Sequence, residues 1–120
     1  MTKENINEFL SYYHYFHDSR INKIDYNIDE DKIDVYINAC FAGQIVLEDG
    51  VYNKSWRKIK IQLKKIIKCN IQEFYTYDDI NELFLKFIKK NNQDFVCFAT
   101  EEENPSIYIV CESIEYEELN

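Results

Sequence analysis

A chain of 120 residues carrying a net charge of −8, with 46% hydrophobic residues that include ten Tyr and eight Phe, is too apolar for a disordered tail and long enough to bury a core without disulfide staples. Two Gly and one Pro exclude collagen-like and linker-like chains, and the acidic balance argues against nucleic-acid phosphates or an anionic membrane as partners. The expectation is one domain over residues 1–120, made of regular structure.

Ile6, Phe9, Leu10, Tyr13 and Phe16 recur at helical spacing, with Asn5 and Glu8 placed as a capping box, so a helix is predicted over about 5–16. The period then drops to two. Ile24, Tyr26 and Ile28 alternate with polar residues, Asp29-Glu30-Asp31-Lys32 makes a charged turn, and Ile33, Val35, Ile37, Ala39 and Phe41 alternate again. That pattern is a β-hairpin with one face towards a core. Residues 43–56 hold both glycines and no sustained period, so they read as a connection with a short strand at Ile45-Val46-Leu47.

Ile59, Ile61 and Leu63 alternate with Lys58, Lys60, Gln62 and Lys64, which gives a strand apolar on one face and basic on the other. The adjacent Ile66 and Ile67 break the alternation by one residue, the signature of a β-bulge. Thr76 and Asp79 then introduce Ile80, Leu83, Phe84, Phe87 and Ile88 at helical spacing, and a second helix is predicted over about 77–91. Phe95–Ala99 and Ile107–Cys111 are apolar at nearly every position, as strands covered on both faces are. A turn pivoting on Asn104 sets Cys97 opposite Cys111, two reduced core thiols or, alternatively, a redox-switched disulfide. The predicted fold is α+β: a mainly antiparallel sheet of five or six strands packed with the two helices.

Charge is segregated along the chain. Residues 1–52 carry a net −6, residues 53–90 a net +6 and residues 91–120 a net −8. The acidic C-terminal stretch, with Glu101, Glu102 and Glu103 in its turn, either steers a basic protein partner or neutralises the Lys-rich strand internally. Tyr12, Tyr15 and Trp56 lie off the apolar stripes and are candidate binding anchors, with covering of the core edge as the alternative.

Motifs for chemistry are weak. His14 and His17 with Asp18 or Asp25 form an incomplete metal-ligand set, so no metal and no cofactor is expected. Cys40 or Cys111 with His17 and Asp18 lacks the exposed, activated thiol that catalysis needs. No Gly-rich phosphate loop or strained nucleophile turn occurs. The chain is therefore read as a non-enzyme. The N-terminus lacks a signal peptide, no apolar run approaches membrane-span length, and four dispersed cysteines without a Cys-x-x-Cys pair suit a reducing cytoplasm.

Phe16-His17-Asp18-Ser19-Arg20-Ile21, with the Ile24-Asp25-Tyr26 strand and the following hairpin, resembles a set of small bacterial proteins with a Phe-His-Asp-Ala/Ser opening signature over about residues 9–41. Some of these are classed as immunity proteins of polymorphic-toxin systems. The resemblance implies toxin neutralisation by direct binding without catalysis, and a structural role for Phe16, His17 and Asp18 at the helix-to-strand junction. An interaction or scaffold domain, homodimeric through a sheet edge, is the alternative. A metal-dependent enzyme built on His14, His17 and Asp18 is the third.

Overall fold

The structure, a computed structural model, describes residues 1–46, 52–72, 79–80 and 82–119, with side chains described outside 40–55 and 73–81. A short helix α1 (Ile6–Tyr12) and a 3-10 turn (His14–Phe16) precede strands β1 (Ser19–Asn27), β2 (Lys32–Val46), β3 (Tyr52–Ile71), β4 (Asp79–Ile80), β5 (Phe84–Lys90), β6 (Gln93–Ala99) and β7 (Ile107–Leu119). All seven strands join one antiparallel sheet in the order β4-β1-β2-β3-β7-β6-β5. Six of the strands are substantial, and β4 is a two-residue bridge to β1. The α+β class and the antiparallel sheet are as expected. No helix among the described residues is long and apolar enough to cross a membrane.

The alternation in β2 and β3 builds the inner face. Ile33, Val35, Ile37 and Ala39 of β2 stand beside Ile59, Ile61 and Leu63 of β3, all at 0–1% exposure. Ile107, Ile109, Cys111 and Ile114 of β7 continue that face, and α1 lays Ile6, Phe9 and Leu10 over it. Each such side chain contributes about 1.5–3 kcal/mol by leaving water. On β1 the inward pattern stops early: Ile21 is fully buried, a bulge between Ile21 and Lys23 shifts the register, and Tyr26 and Ile28 end exposed.

Strand β3 has 20 residues and would run about 63 Å if straight at ~3.3 Å per residue, longer than the molecule's 54 Å greatest extent. It bends at the predicted bulge. Lys65 has φ 59°, and the register with β7 shifts between Ile66 and Lys68. There Asp31, in the β1–β2 turn, caps the strand. Its carbonyl accepts the Lys65 N–H at 2.8 Å and its carboxylate accepts the Ile66 N–H at 3.3 Å.

Four expectations are corrected. The helix over 77–91 does not form: Asp79–Ile80 and Phe84–Lys90 are strands β4 and β5, while Thr76, Tyr77, Asp78 and Asn81 lie outside the described residues. Leu83, Leu85 and Phe87 face inwards at period two, and Asn91 and Asn92 (φ 53° and 62°) supply the left-handed pair that a two-residue hairpin turn requires. The first helix is shorter than 5–16. His14, Tyr15 and Phe16 all take positive φ, a cost of about 1–2 kcal/mol per residue, against which Phe16 is fully buried and packs on Phe9 and Tyr13. The expected Asn5–Glu8 box is replaced one turn earlier, where the Thr2 N–H donates to Asn5 Oδ1 at 2.7 Å and the Asn5 N–H to Thr2 Oγ1 at 3.4 Å.

Third, the connection over 43–56 is largely hairpin: β2 runs to Val46 and β3 starts at Tyr52, with Leu47 outside the described residues. Fourth, the β6–β7 turn pairs Cys97 with Val110 and Val96 with Cys111. Neighbouring register positions point to opposite faces, so Cys97 and Cys111 are free thiols on either side of the sheet.

Candidate functional site

One end of the molecule gathers exposed aromatic side chains around an ion pair. Antiparallel pairing of β3 with β7 sets Ile61 opposite Tyr116 and Ile59 opposite Glu118, so these β7 residues extend the inner face past the core. Helix α1 reaches the same place. Phe9 lies 4.3 Å, centroid to centroid, from the Tyr116 ring, and Tyr12 stands edge-on to Tyr13 at 4.9 Å. Tyr12 and Tyr116 remain 51% and 46% exposed, and Trp56, at the start of the well-packed part of β3, is 56% exposed.

Arg57, on the inner face near Tyr12, donates from Nη1 to Glu118 Oε1 at 3.1 Å, which holds its guanidinium firmly charged. That charge lies within electrostatic reach of both Tyr12 and Tyr13. Burial, reinforced by the Glu118 carboxylate, pushes the Tyr13 hydroxyl up to about 12. Two shallow grooves open here. One of about 320 Å³ is lined by Asn5, Glu8, Phe9, Tyr12 and Tyr116, and one of about 300 Å³ by Trp56, Arg57, Lys58, Glu118 and Leu119. Aromatic faces beside a held guanidinium and a carboxylate are means of gripping another protein, since they combine a large contact area with few rotatable bonds.

Of the predicted anchors, Tyr12 lies with Tyr116 on the inner face at this end, whereas Trp56, next to Arg57 in β3, points to the outer face. Tyr15 does not line either groove: it lies beyond α1 on the 3-10 turn, where its carbonyl accepts the Leu83 N–H at 2.9 Å. Glu101, Glu102 and Glu103 are exposed in the β6–β7 turn, at the opposite end of the 13-residue β7. At ~3.3 Å per residue that separation is about 40 Å, too far for one compact contact patch. Arg57, Tyr116 and Glu118 were not singled out as anchors from the sequence, because only the β3–β7 register brings them to α1.

The acidic C-terminal stretch divides. Glu112, Glu115 and Glu118 approach Lys65, Lys64 and Arg57 at 3.7, 2.8 and 3.1 Å, which is the internal neutralisation of the basic strand. Lys64 holds the Glu115 carboxyl below its ordinary range. Glu101 accepts a bond from Ser106 Oγ at 3.3 Å within its own turn.

Phe16, His17 and Asp18 stand at the junction of the 3-10 turn and β1. Phe16 is core, whereas His17 and Asp18 are mostly exposed and 3.5 Å apart. The left-handed backbone from His14 to Phe16 removes the helical spacing on which a His14–His17 chelate depends. Among the described residues, no three His, Cys, Asp or Glu side chains gather closely enough to hold a metal ion. Burial pushes the Cys111 thiol up to about 12, far from the thiolate a nucleophile requires. The side chain of Cys40 lies outside those described. Comparison with known proteins finds no matching family model and no curated protein of significant similarity.

Proposed function

We propose that this chain is a non-catalytic bacterial binding protein, and specifically a cytoplasmic immunity protein that neutralises a cognate toxin domain by covering its active surface. The observation that carries the binding reading is the aromatic end: Tyr12 and Tyr116, each about half exposed, beside the Arg57–Glu118 pair, with Trp56 exposed on the other face of the same strand end. Side chains of this kind dominate interface energetics when a partner excludes water from them. The toxin assignment adds the resemblance at Phe16-His17-Asp18, and a net charge of −8 favours encounter with a basic toxin domain.

The test is co-expression with the product of the adjacent upstream gene. Growth arrest by that product, relieved by this chain, is expected. Tyr12→Ala and Trp56→Ala should each weaken the complex by about 2 kcal/mol, mainly through faster dissociation. A harmless neighbour, or full protection and unchanged affinity in both variants, would reject the assignment.

A further inference from the structure

We propose that the free edge of β3 beyond its bulge pairs with the same edge of a second copy, joining two sheets about a two-fold axis at Cys69. This edge lies at the other end of β3 from Arg57, and the proposal does not rest on the toxin assignment.

The starting point is a difference in length between neighbouring strands. Strand β2 begins at Lys32, which pairs with Lys64, whereas β3 continues to Ile71. From Ile66 to Ile71, β3 therefore pairs with β7 alone, and among the described residues no strand lies on its other side. Exposure follows: every residue from Ile67 to Gln72 is exposed, with Ile67 at 58% and Ile71 at 38%, where Ile59, Ile61 and Leu63 of the same strand are fully buried. Hydrogen bonds fix which way the backbone points. The Gln72 N–H donates to the Ser106 carbonyl beside β7 at 2.9 Å. Backbone groups alternate sides along a strand, so those of Lys68 and Asn70 also face β7, and those of Cys69 and Ile71 face the open side. There Asp31 already takes the Lys65 and Ile66 N–H groups, so the unpaired stretch is Ile67–Ile71.

The side chains leave this edge unguarded. Natural edges carry lysines that repel a second strand. Both lysines here are drawn back over β7: Lys68 Nζ lies 5.6 Å from the centre of the Tyr108 ring, and Lys65 Nζ lies 3.7 Å from Glu112. The outermost strand β5 carries Lys86, Lys89 and Lys90 and is the poorer candidate.

Register selects the occupant. An antiparallel pair centred on Cys69 sets Ile67 opposite Ile71 of the second copy, twice, and Lys68 opposite Asn70, so apolar meets apolar and no lysine meets a lysine. Centring on Lys68 would place two lysines face to face, and centring on Asn70 would carry Ile67 past the end of the other copy's strand. The edge is self-complementary, as an isologous interface must be, and main-chain hydrogen bonds supply the affinity. Cys69 exchanges both backbone bonds with its counterpart, at about 5.5 Å between Cα atoms.

Area sets the strength. The stretch Ile67–Ile71 spans about 17 Å at ~3.3 Å per residue and buries well under the ~1,200 Å² of a standard interface, so a dissociation constant of about 0.1 mM is expected.

Sedimentation of the full-length chain across concentration, with a short bis-maleimide that links adjacent thiols, tests this. The wild type should dimerise, and the reagent should join Cys69 to Cys69 in proportion to the dimer. Cys69→Ser should lose the link and keep the dimer. Ile71→Lys sets a charge beside Ile67 of the second copy and should weaken association at least tenfold. Ile71→Pro removes an outward N–H, which an edge strand tolerates on its solvent side, and should be monomeric with an unchanged circular dichroism spectrum. Where proline disturbs the fold, Ile71→Lys decides alone. A wild type still monomeric at about 1 mM, tenfold above the expected constant, overturns the proposal. So does a dimer that persists unchanged in Ile71→Lys, one that gives no link at Cys69, or a link that survives Cys69→Ser. Protection of the Cys69 and Ile71 amides from hydrogen exchange by a different protein, with the chain itself monomeric, assigns the edge to that partner and also overturns it.

Discussion

The outer face of the sheet has two halves of opposite character. Where β2, β3 and the C-terminal half of β7 run together, the outward positions are Tyr36, Asn38, Lys58, Lys60, Gln62, Lys64, Glu115 and Glu117, set in register so that Lys60 stands opposite Glu117. Beyond the bulge at Ile67 the same face turns mostly apolar through Val110, Cys97 and Phe95, with Lys68 opposite Val110 and Lys86 opposite Cys97. The first half is a polar ladder of paired charges, solvated except where Asp34 is only 8% exposed, and the second is a layer still partly in water. The contrast shows that acidic and basic segments of this chain were partitioned by strand pairing, whereas the apolar half has no such internal partner on its outer side.

The largest effect should come from placing a charge in the apolar half. Val110→Asp puts a carboxylate at a position only 7% exposed, with Lys68 opposite it across the β3–β7 pair, and should still cost about 1–3 kcal/mol, whereas Lys60→Gln in the polar half should cost less than about 0.5 kcal/mol. Urea unfolding of the two variants measures the difference, and equal losses would erase the distinction between the halves.

The hairpin that presents the apolar half offers the next test. Asn92→Val forces a β-branched side chain into φ 62° and should lose about 1–2 kcal/mol, while Asn92→Gly should be neutral or slightly stabilising. Equal stability of the two variants would show that position 92 does not require the left-handed backbone.

A pH dependence comes from the inner face. The Tyr13 hydroxyl, held up to about 12 in the folded chain against an ordinary 10.0, binds its proton more tightly when folded. Its contribution is therefore full below pH 10 and is lost as pH rises towards 12. Denaturant midpoints between pH 9 and 12 should fall more steeply for the wild type than for Tyr13→Phe, and parallel curves would show that Tyr13 titrates as it does in water.

The smallest effect belongs to the polar ladder. The Lys64–Glu115 pair, 2.8 Å apart but 39% and 55% exposed, should show a coupling of about 0.5 kcal/mol or less in a double-mutant cycle with Gln, vanishing in about 1 M salt. A coupling that survives high salt would mean that this half is less solvated than its exposure indicates.

Much of this architecture was legible in the residues themselves. The alternation of Ile33–Ala39 and Ile59–Leu63, the slip at Ile66-Ile67 and the apolar final strands are local patterns, and a half-buried strand imposes its period of two on its own sequence. Leu83–Ile88 is different. Its apolar residues satisfy both periods, and only pairing with β6 across the Asn91-Asn92 turn decides for the strand. The 3-10 turn at His14–Phe16 likewise follows from the burial of Phe16, which outweighs the helical spacing around it. Partner identity across the sheet was beyond reach for the same reason. A one-residue change of register moves Cys97 from Cys111 to Val110, and the meeting of Phe9 and Tyr12 with Tyr116 at one end depends on contacts between residues about a hundred positions apart. Local chemistry sets the period of each segment; long-range packing sets which faces meet and which stay open.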